Sequence, residues 1–240
     1  MSLTPVDEEQ FAGGNLVSTA IGAITQHIRE NELGPGDRLP SEATLSKELS
    51  VSRSVVREAF RSLATMRLID LNVGKRATVA QLDHGAMSLM IEHGVHTAQI
   101  NINQVYDVRR TIEMRTSTLA ALRRSDAEAH TILAHARAME TNFADADKVM
   151  ESDLAFHLEI ARASKNPIFS IIVGAFQGVS RQTWPIGWRS RASDADRHAM
   201  NQIHIDLAGA ILAGDPQAAS QLMARHFDES AKALLAAGIA

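Results

Sequence analysis

The sequence predicts a mostly α-helical chain with two domains, a small N-terminal one that ends in a β-hairpin and a larger one built only from helices. Short helical segments and one β signal fill residues 15–80, and amphipathic helices follow one another through 81–240. Apolar residues make up 45% of the 240 residues, which is enough for two cores. Residues 1–14 lack periodicity and are expected to form a flexible tail.

The first domain begins with two short helices. Apolar residues recur every three or four positions from Asn15 until the sequence GPG at 34–36 stops the helix. Ser41 then provides an N-cap for a helix that runs through Leu49, because a serine oxygen can accept a hydrogen bond from a free backbone N–H in the first turn.

A third helix and a hairpin complete this domain. Ser52 caps a helix that runs to about Met66. The sequence LIDLNVGKRATVA at 68–80 then has apolar and β-branched runs on both sides of VGKR, which predicts a small hairpin with Gly74 at its tip.

The second domain is predicted as a bundle of six to seven helices with recognisable caps. SDAE at 125–128 is a capping box, while Asn166-Pro167 and Asp215-Pro216 place an N-cap before a proline at the first helical position. A break is expected at WPIGW, 184–188. The predicted helices lie near 84–94, 103–123, 126–142, 146–163, 167–182, 193–213 and 216–237.

The charge distribution separates the two domains. The net charge is −4, yet the segment from Lys47 to Arg76 carries seven basic residues against three acidic ones. Histidine has the opposite bias, since nine of the ten lie at or beyond His84. We therefore expect the N-terminal domain to have a polyanionic partner that the second domain does not share.

The third helix has an apolar side and an arginine side. Arg53, Arg57 and Arg61 recur every four residues and form a separate stripe from the apolar positions. A short helix of this kind, preceded by another across a tight turn, is typical of the recognition helix of a helix-turn-helix, and the basic hairpin after it of a wing. The alternative is that the arginines form only a solvated face.

The first domain resembles the GntR-type bacterial repressors. The resemblance rests on LGPGDRLPSEATLSKELSVSRSVVREAFRSLATMRLIDLNVGKRATV, residues 33–79. It implies a winged helix-turn-helix that binds double-stranded operator DNA, and it implies DNA contacts by Ser52, Arg53, Ser54, Arg57, Gly74 and Lys75. One departure is Ala43, where the family commonly has an arginine, so the operator preference could differ.

In the second domain, the segment SDLAFHLEIA at 152–161 places two polar residues on an apolar face. On a helical wheel of 146–163, Asp153 and His157 fall in the middle of a broad apolar arc. His204 and His226 point toward the apolar side of their own helices, whereas His130 falls on an outer face. A buried carboxylate needs a partner or a metal ion.

Together these four residues suggest a metal site. One oxygen and three nitrogen ligands suit Zn, Ni, Mn or Fe, with positions left for a water or a carboxylate. The alternative for each histidine is a core imidazole whose nitrogens are satisfied by a carbonyl or a hydroxyl. Convergence of the three helices is an expectation that the sequence leaves open.

The second domain resembles the FCD ligand-binding domain of FadR-like GntR regulators over about residues 85–235. The motifs are VYDVRRTIE at 105–113, DLAFHLEIARASKNP at 153–167 and HIDLAGAILAGDPQAASQLMARHF at 204–227. The resemblance implies that Asp153, His157, His204 and His226 are metal ligands and that the domain dimerises. It also places Arg109 to meet an effector carboxylate, whereas a surface ion pair with Glu113 at i+4 is the alternative.

The predicted function is that of a homodimeric transcription regulator, acting as a repressor, whose operator binding is controlled by a small carboxylate bound at the metal. A sugar acid, a hydroxy acid or a dicarboxylate all fit. A metal sensor is one alternative, and a metal-dependent enzyme with a DNA-binding appendage is another, although Glu151 and Glu159 fall on an outer face and leave it no evident acid or base. The sequence has no cysteine, no secretory signal and no apolar run of about 18 residues, so we expect a cytoplasmic location without a membrane partner.

Overall fold

The computed structural model describes residues 16–239, so the predicted tail at 1–14 lies outside the described part of the chain. The chain divides into two compact units, Met1–Ala86 and Met87–Ala240. The mostly α-helical class is confirmed. None of the helices in the described residues is long and apolar enough to cross a bilayer.

The first unit contains three helices and a two-stranded sheet. The elements are α1 (Leu16–Glu30), α2 (Glu42–Glu48), α3 (Arg53–Thr65), β1 (Ile69–Asp70) and β2 (Thr78–Val79). The strands pair antiparallel with Ile69 opposite Val79. Gly74 lies in the connecting loop with φ +73°, a conformation that glycine adopts without strain.

The caps and the tight turn of this unit follow from local sequence. The Ser41 and Ser52 side chains accept hydrogen bonds from the backbone N–H groups of Thr44 and Val55, which confirms both predicted N-caps. The turn between α2 and α3 uses Ser50 at φ +55°. A continuous apolar core fixes the two helices against α1 and the hairpin. Its fully buried members include Ile24, Leu39, Leu45, Leu49, Val56, Leu63 and Ile69.

The second unit is entirely helical in the residues described. Its helices are α4 (Gly85–His96), α5 (Ile102–Arg123), α6 (Asp126–Thr141), α7 (Ala146–Ala163), α8 (Pro167–Ala175), α9 (Gln177–Ser190), α10 (Asp194–Ala213) and α11 (Pro216–Ala236). The predicted caps at Ser125, Asn166 and Asp215 all form. Helix α5 packs against α7 and α11, and α10 packs against α6 and α11.

Two predictions for this region are wrong, a continuous helix over 167–182 and a break at 184–188, and the bundle has eight described helices where six to seven were expected. The predicted helix 167–182 is divided at Phe176, whose N–H bonds to the carbonyl of Val173, three residues back. The expected break at 184–188 is absent, since α9 continues through Pro185. A proline removes one backbone hydrogen bond, but Trp184 and Trp188 stack across it with ring centroids 5.0 Å apart, and this packing holds the helix together.

Candidate functional site

Helix α7 presents a carboxylate and an imidazole to the core of the bundle. Asp153 and His157 are both buried, one turn apart, as the helical wheel predicted. They are held there because Phe156 and Ile160 of the same helix are fully buried and fix its rotation. His204 on α10 and His226 on α11 are also buried.

The structure brings these four side chains together. Asp153, His157, His204 and His226 each offer one ligand atom, and these atoms lie within 4.8 Å of one another. The rings of His204 and His226 have centroids 4.6 Å apart, and those of His157 and His226 4.7 Å apart. Three helices from separate parts of the sequence therefore supply one oxygen and three nitrogens to a common point.

Several histidine nitrogens in this cluster have no hydrogen-bond partner. His157 Nε2, His204 Nε2 and His226 Nδ1 are buried without one. His204 Nε2 also lies 2.9 Å from an oxygen of the Asp153 carboxylate. Buried polar atoms in native proteins are nearly always paired, so converging unpaired nitrogens beside a carboxylate fit a divalent cation.

The protonation states also fit a cation. Burial, assisted by His204, His157 and Arg109, holds the pKa of His226 well below its usual value, so this imidazole is neutral. Burial raises the pKa of Asp153, but His204 and His157 beside it outweigh that effect and the net shift is downward. A neutral imidazole and an ionised carboxylate are the forms that bind metal ions.

Two of the ring orientations are fixed by groups outside the cluster. His204 Nδ1 lies 3.0 Å from the carbonyl oxygen of Met200, which assigns the proton to Nδ1 and leaves Nε2 free. His157 Nδ1 lies 2.5 Å from the second carboxylate oxygen of Glu113. Carbonyl and carboxylate neighbours of this kind commonly orient metal-bound histidines.

Arg109 forms the ion pair with Glu113 that was one of the two expectations, but the pair is buried instead of exposed. Arg109 Nε donates to Glu113 Oε1 at 2.8 Å, and the two side chains are 7% and 1% exposed. Arg109 Nη1 also donates to Ser180 Oγ at 2.9 Å. Burial raises the pKa of Glu113, but Arg109 and His157 together lower it by more, so the carboxylate remains ionised.

A cavity of about 40 Å³ opens beside the cluster. Asp153, His204 and His226 lie in its wall, so three of the four predicted metal ligands share the cavity with Arg109, the predicted effector residue. The wall also includes residues that the sequence did not single out, among them Tyr106, Ser180, Thr183, Trp184, Trp188 and Arg191. Glu113 was recognisable from its i+4 spacing to Arg109, but Arg191 lies past the end of α9, where no periodicity indicates its direction.

In the first unit, the arginine stripe of α3 is exposed. Arg53, Arg57 and Arg61 all face solvent, whereas Val56 and Ala59 are buried against the core. Ser52 and Ser54 lie at the exposed first turn, with their hydroxyl oxygens 2.8 Å apart. The N-terminal end of the helix thus presents hydroxyls and arginines together, as a recognition helix does.

The hairpin and α3 share a groove. Arg57, Gly74 and Lys75 line it, together with Arg61 and Arg76. Arg57 Nη2 donates to a carboxylate oxygen of Glu42 at 3.0 Å, which ties the arginine to the start of α2. Ala43, the departure from the family pattern, is half-buried beside Glu42 in the first turn of α2.

A helix-turn-helix followed by a short hairpin, joined in one chain to an all-helical domain with an internal cavity, defines the class of winged-helix transcription regulators. The chain belongs to the gntR family of bacterial regulatory proteins. Residues 16–79 match the model for the gntR family and residues 104–229 match that for the FCD domain.

Several characterised relatives are similar over most of their length. The regulator LutR of Bacillus subtilis (strain 168) is 28% identical over 83% of this chain and 92% of its own. The repressor NanR of Enterobacter sp. (strain 638) is 30% identical over 85% of this chain and 80% of its own. The galactonate operon repressor of Escherichia coli (strain K12) is 27% identical over 86% of this chain and 91% of its own.

Solved structures agree on the fold. A GntR protein of Streptococcus agalactiae superposes with a TM-score of 0.63 at 23% identity, over 89% of this chain and 97% of its own. The two family matches and the curated relatives show that the chain is a DNA-binding transcription regulator and not an enzyme.

Proposed function

We propose that the helical domain holds a divalent metal ion through Asp153, His157, His204 and His226, and that a small organic acid bound at this metal controls operator binding. The main support for this proposal is the set of converging, unpaired imidazole nitrogens beside a cavity. A bound metal ion supplies a Lewis acid that anchors one carboxylate of the acid. Zn, Ni, Mn or Fe all suit one oxygen and three nitrogen ligands.

The cavity residues suit a polar acid. Ser180 and Thr183 bring hydroxyl groups to the wall, and Arg109 brings a guanidinium that is already paired with Glu113. A hydroxy acid, a sugar acid or a dicarboxylate can use such groups. The name of one relative, the galactonate operon repressor, refers to a sugar acid, which supports a carboxylate of this size class.

For the first unit we propose that Ser52, Arg53, Ser54, Arg57, Gly74 and Lys75 contact operator DNA. The exposed end of α3 can enter the major groove, where an arginine donates two hydrogen bonds to guanine, while the hairpin lies beside the phosphates. A single unit of this size makes few base contacts, so two copies on two half-sites are needed for specific binding.

We propose that the protein acts as a homodimer. Helix α4 supports this assignment because Leu89 and Met90 expose 66% and 74% of their surface, which is unusual for apolar side chains that lie next to each other. Sedimentation velocity of the wild type and of Leu89→Asp/Met90→Asp tests it. A dimer that becomes monomeric in the double variant supports the assignment, and a wild-type monomer at micromolar concentration overturns it.

The regulatory mechanism is linkage between two binding equilibria. If an acid binds more tightly to the conformation that has the lower DNA affinity, it reduces the affinity for the operator. The reduction cannot exceed the ratio of the acid's affinities for the two conformations. Couplings of this kind are typically about 5- to 150-fold.

The test begins with selection of a binding site from random duplex DNA by the metal-loaded protein, which should yield an inverted repeat. Fluorescence anisotropy on that duplex then follows DNA affinity against a panel of small carboxylates. A change in affinity that needs both metal and acid supports the proposal. A change with metal alone, at constant acid, would instead favour a metal sensor, and no change with either would overturn regulation through this site.

A further inference from the structure

Arg191 differs from the other cationic residue of the cavity because it has no acidic partner. It lies directly after α9 and its side chain lines the cavity. Its Nη1 donates to the carbonyl oxygen of Gly187 at 2.8 Å. Among residues 16–239, no carboxylate oxygen lies within the 4.0 Å of an ion pair, whereas Arg109 is paired with Glu113.

The charges around the cavity do not balance when the proposed metal is bound. Arg109 and Glu113 cancel each other. A divalent ion on Asp153 leaves one positive charge, because histidine ligands are neutral. Burial raises the pKa of Tyr106, so its hydroxyl adds no negative charge. Arg191 contributes a second positive charge, because its acidic neighbour Glu229 is already paired with Lys232, and the cavity therefore favours a ligand with two negative charges.

The partial burial of Arg191 makes this excess of positive charge energetically unfavourable. Burial lowers the pKa of Arg191, although Asp153, Tyr106 and Glu229 oppose the shift. A guanidinium keeps its charge at neutral pH, so the burial shows that this charge is poorly solvated. A carboxylate beside it would form charge-assisted hydrogen bonds in a partly dry site, where they are strong.

We propose that Arg191 is the specificity-determining residue of the effector site and that the effector is a short dicarboxylate, with one carboxylate at the metal and the other paired with Arg191. This inference rests on the proposed function of the cavity as a metal-anchored acid site. The stacked rings of Trp184 and Trp188 lie in the wall and provide an apolar surface for the carbon chain between the two carboxylates.

Separation of the two positive groups favours a dicarboxylate over a single dianion such as phosphate. Arg191 forms no ion pair with Asp153, so its guanidinium is not held by the proposed metal ligands and can bind a second charged group. A dicarboxylate can place one charge at each point. Inorganic phosphate holds both charges on one centre and has no carbon chain to place against the tryptophans.

Isothermal titration of the full-length, metal-loaded protein with matched pairs of acids tests the inference. Each dicarboxylate is compared with the monocarboxylate in which a methyl group replaces the far carboxylate: malate with 2-hydroxybutyrate, 2-hydroxyglutarate with 2-hydroxyvalerate, and succinate with butyrate. We expect at least one dicarboxylate to bind about 10- to 100-fold more tightly than its partner, the usual range for hydrogen bonds to a charged group.

Variants assign the preference to the guanidinium. In Arg191→Gln, each dicarboxylate should bind about as tightly as its monocarboxylate partner, whereas Arg191→Lys should retain part of the preference. Elemental analysis should show that the metal content of both variants is unchanged. Arg189→Gln is the matched control, because Arg189 lies two residues away in the last turn of α9 and faces solvent. The control should keep the full preference.

The outcomes separate this inference from the proposed function beneath it. Monocarboxylates that bind as tightly as their dicarboxylate partners, or a preference that survives Arg191→Gln, would overturn the role of Arg191 and leave the acid site standing. Inorganic phosphate binding more tightly than every dicarboxylate would overturn the dicarboxylate assignment. No binding by any acid would overturn the proposed function itself, and the inference with it.

Discussion

At the scale of single residues, the important feature is a group of polar atoms that the core leaves unpaired. His157 Nε2, His204 Nε2 and His226 Nδ1 are buried beside a carboxylate without hydrogen bonds. Leaving a buried polar atom unsatisfied costs about 1–3 kcal/mol. Three such atoms in one place would be an unusually large free-energy cost for a core that served packing alone. A bound cation removes this cost.

The first prediction concerns these ligands. Asp153→Ala and His204→Ala should each lower the bound metal well below one equivalent per chain, since each removes one of four ligands. Elemental analysis of the purified proteins measures this. His130→Ala is the control, because His130 is exposed on α6 outside the cluster and should keep the wild-type load. A full load in both ligand variants would show that the metal binds elsewhere.

The second prediction concerns the recognition helix. Arg57→Ala should weaken specific DNA binding at least tenfold, because a paired arginine–guanine contact contributes roughly 1–3 kcal/mol of discrimination. Anisotropy with the selected duplex and with a scrambled one measures the loss.

Two controls accompany the Arg57 variant. Arg29→Ala removes an exposed arginine from α1 in the same unit and should bind normally. Circular dichroism and sedimentation should show unchanged helicity and assembly in Arg57→Ala. Unchanged specific affinity would remove Arg57 from the DNA-reading surface.

At the scale of secondary-structure elements, the helices are defined by their caps, and most of these were recognisable in advance. The capping box at Ser125 forms as predicted, with Glu128 accepting from the backbone N–H of Ser125. Glu128 also pairs with Lys165, just after α7. This single carboxylate therefore holds the start of α6 and joins it to the neighbouring helix.

A third prediction follows from Glu128. Its ion pair with Lys165 and its hydrogen bonds to Ser125 lower the pKa from 4.5 to about 2. A carboxyl group whose pKa is depressed by folding contributes stability above the unfolded pKa and loses it as the pH falls toward the folded pKa. The advantage of the wild type over Glu128→Gln should therefore be constant above about pH 5 and shrink steadily below pH 4.5.

Urea unfolding across this pH range measures the difference. Asp107→Asn is a suitable control, because Asp107 is exposed and no cationic side chain of the described residues pairs with it. Its effect on stability should be small. A Glu128→Gln difference that grows as the pH falls would contradict the assigned interactions.

The element scale also shows where local rules are insufficient. A proline normally ends a helix, yet α9 passes through Pro185 because two stacked tryptophans support it. The actual interruption falls at Phe176, which is buried among Val105 and Val179. Phe176 packs against Val105, which no window of the sequence around Phe176 contained, whereas Trp184 and Trp188 flank Pro185 within one turn.

At the scale of the whole molecule, metal binding should contribute to the stability of the folded chain. A ligand that binds only the native state at 100 times its dissociation constant adds about 2.7 kcal/mol. As a fourth prediction, removal of the metal with a chelator should lower the melting temperature of the wild type by several degrees. The melting temperature of His204→Ala should hardly respond.

Differential scanning fluorimetry with and without chelator, followed by re-addition of Zn, Ni, Mn or Fe, measures this effect and ranks the metals. Recovery of the melting temperature by one of them would identify the preferred ion. An equal response in the wild type and in His204→Ala would show that the chelator acts at some other site.

The sequence by itself determined the two-part helical plan, the caps, and the inward direction of Asp153, His157, His204 and His226. These features depend on the helical period and on hydrogen bonds between neighbours in the chain, which are local. Only the tertiary structure decided that the ligand atoms lie within 4.8 Å of one another, that the Arg109–Glu113 pair is buried, and that Arg191 lines the same cavity without an acidic partner. Those facts depend on how α5, α7, α10 and α11 pack, and helix packing is set by contacts between residues far apart in the sequence.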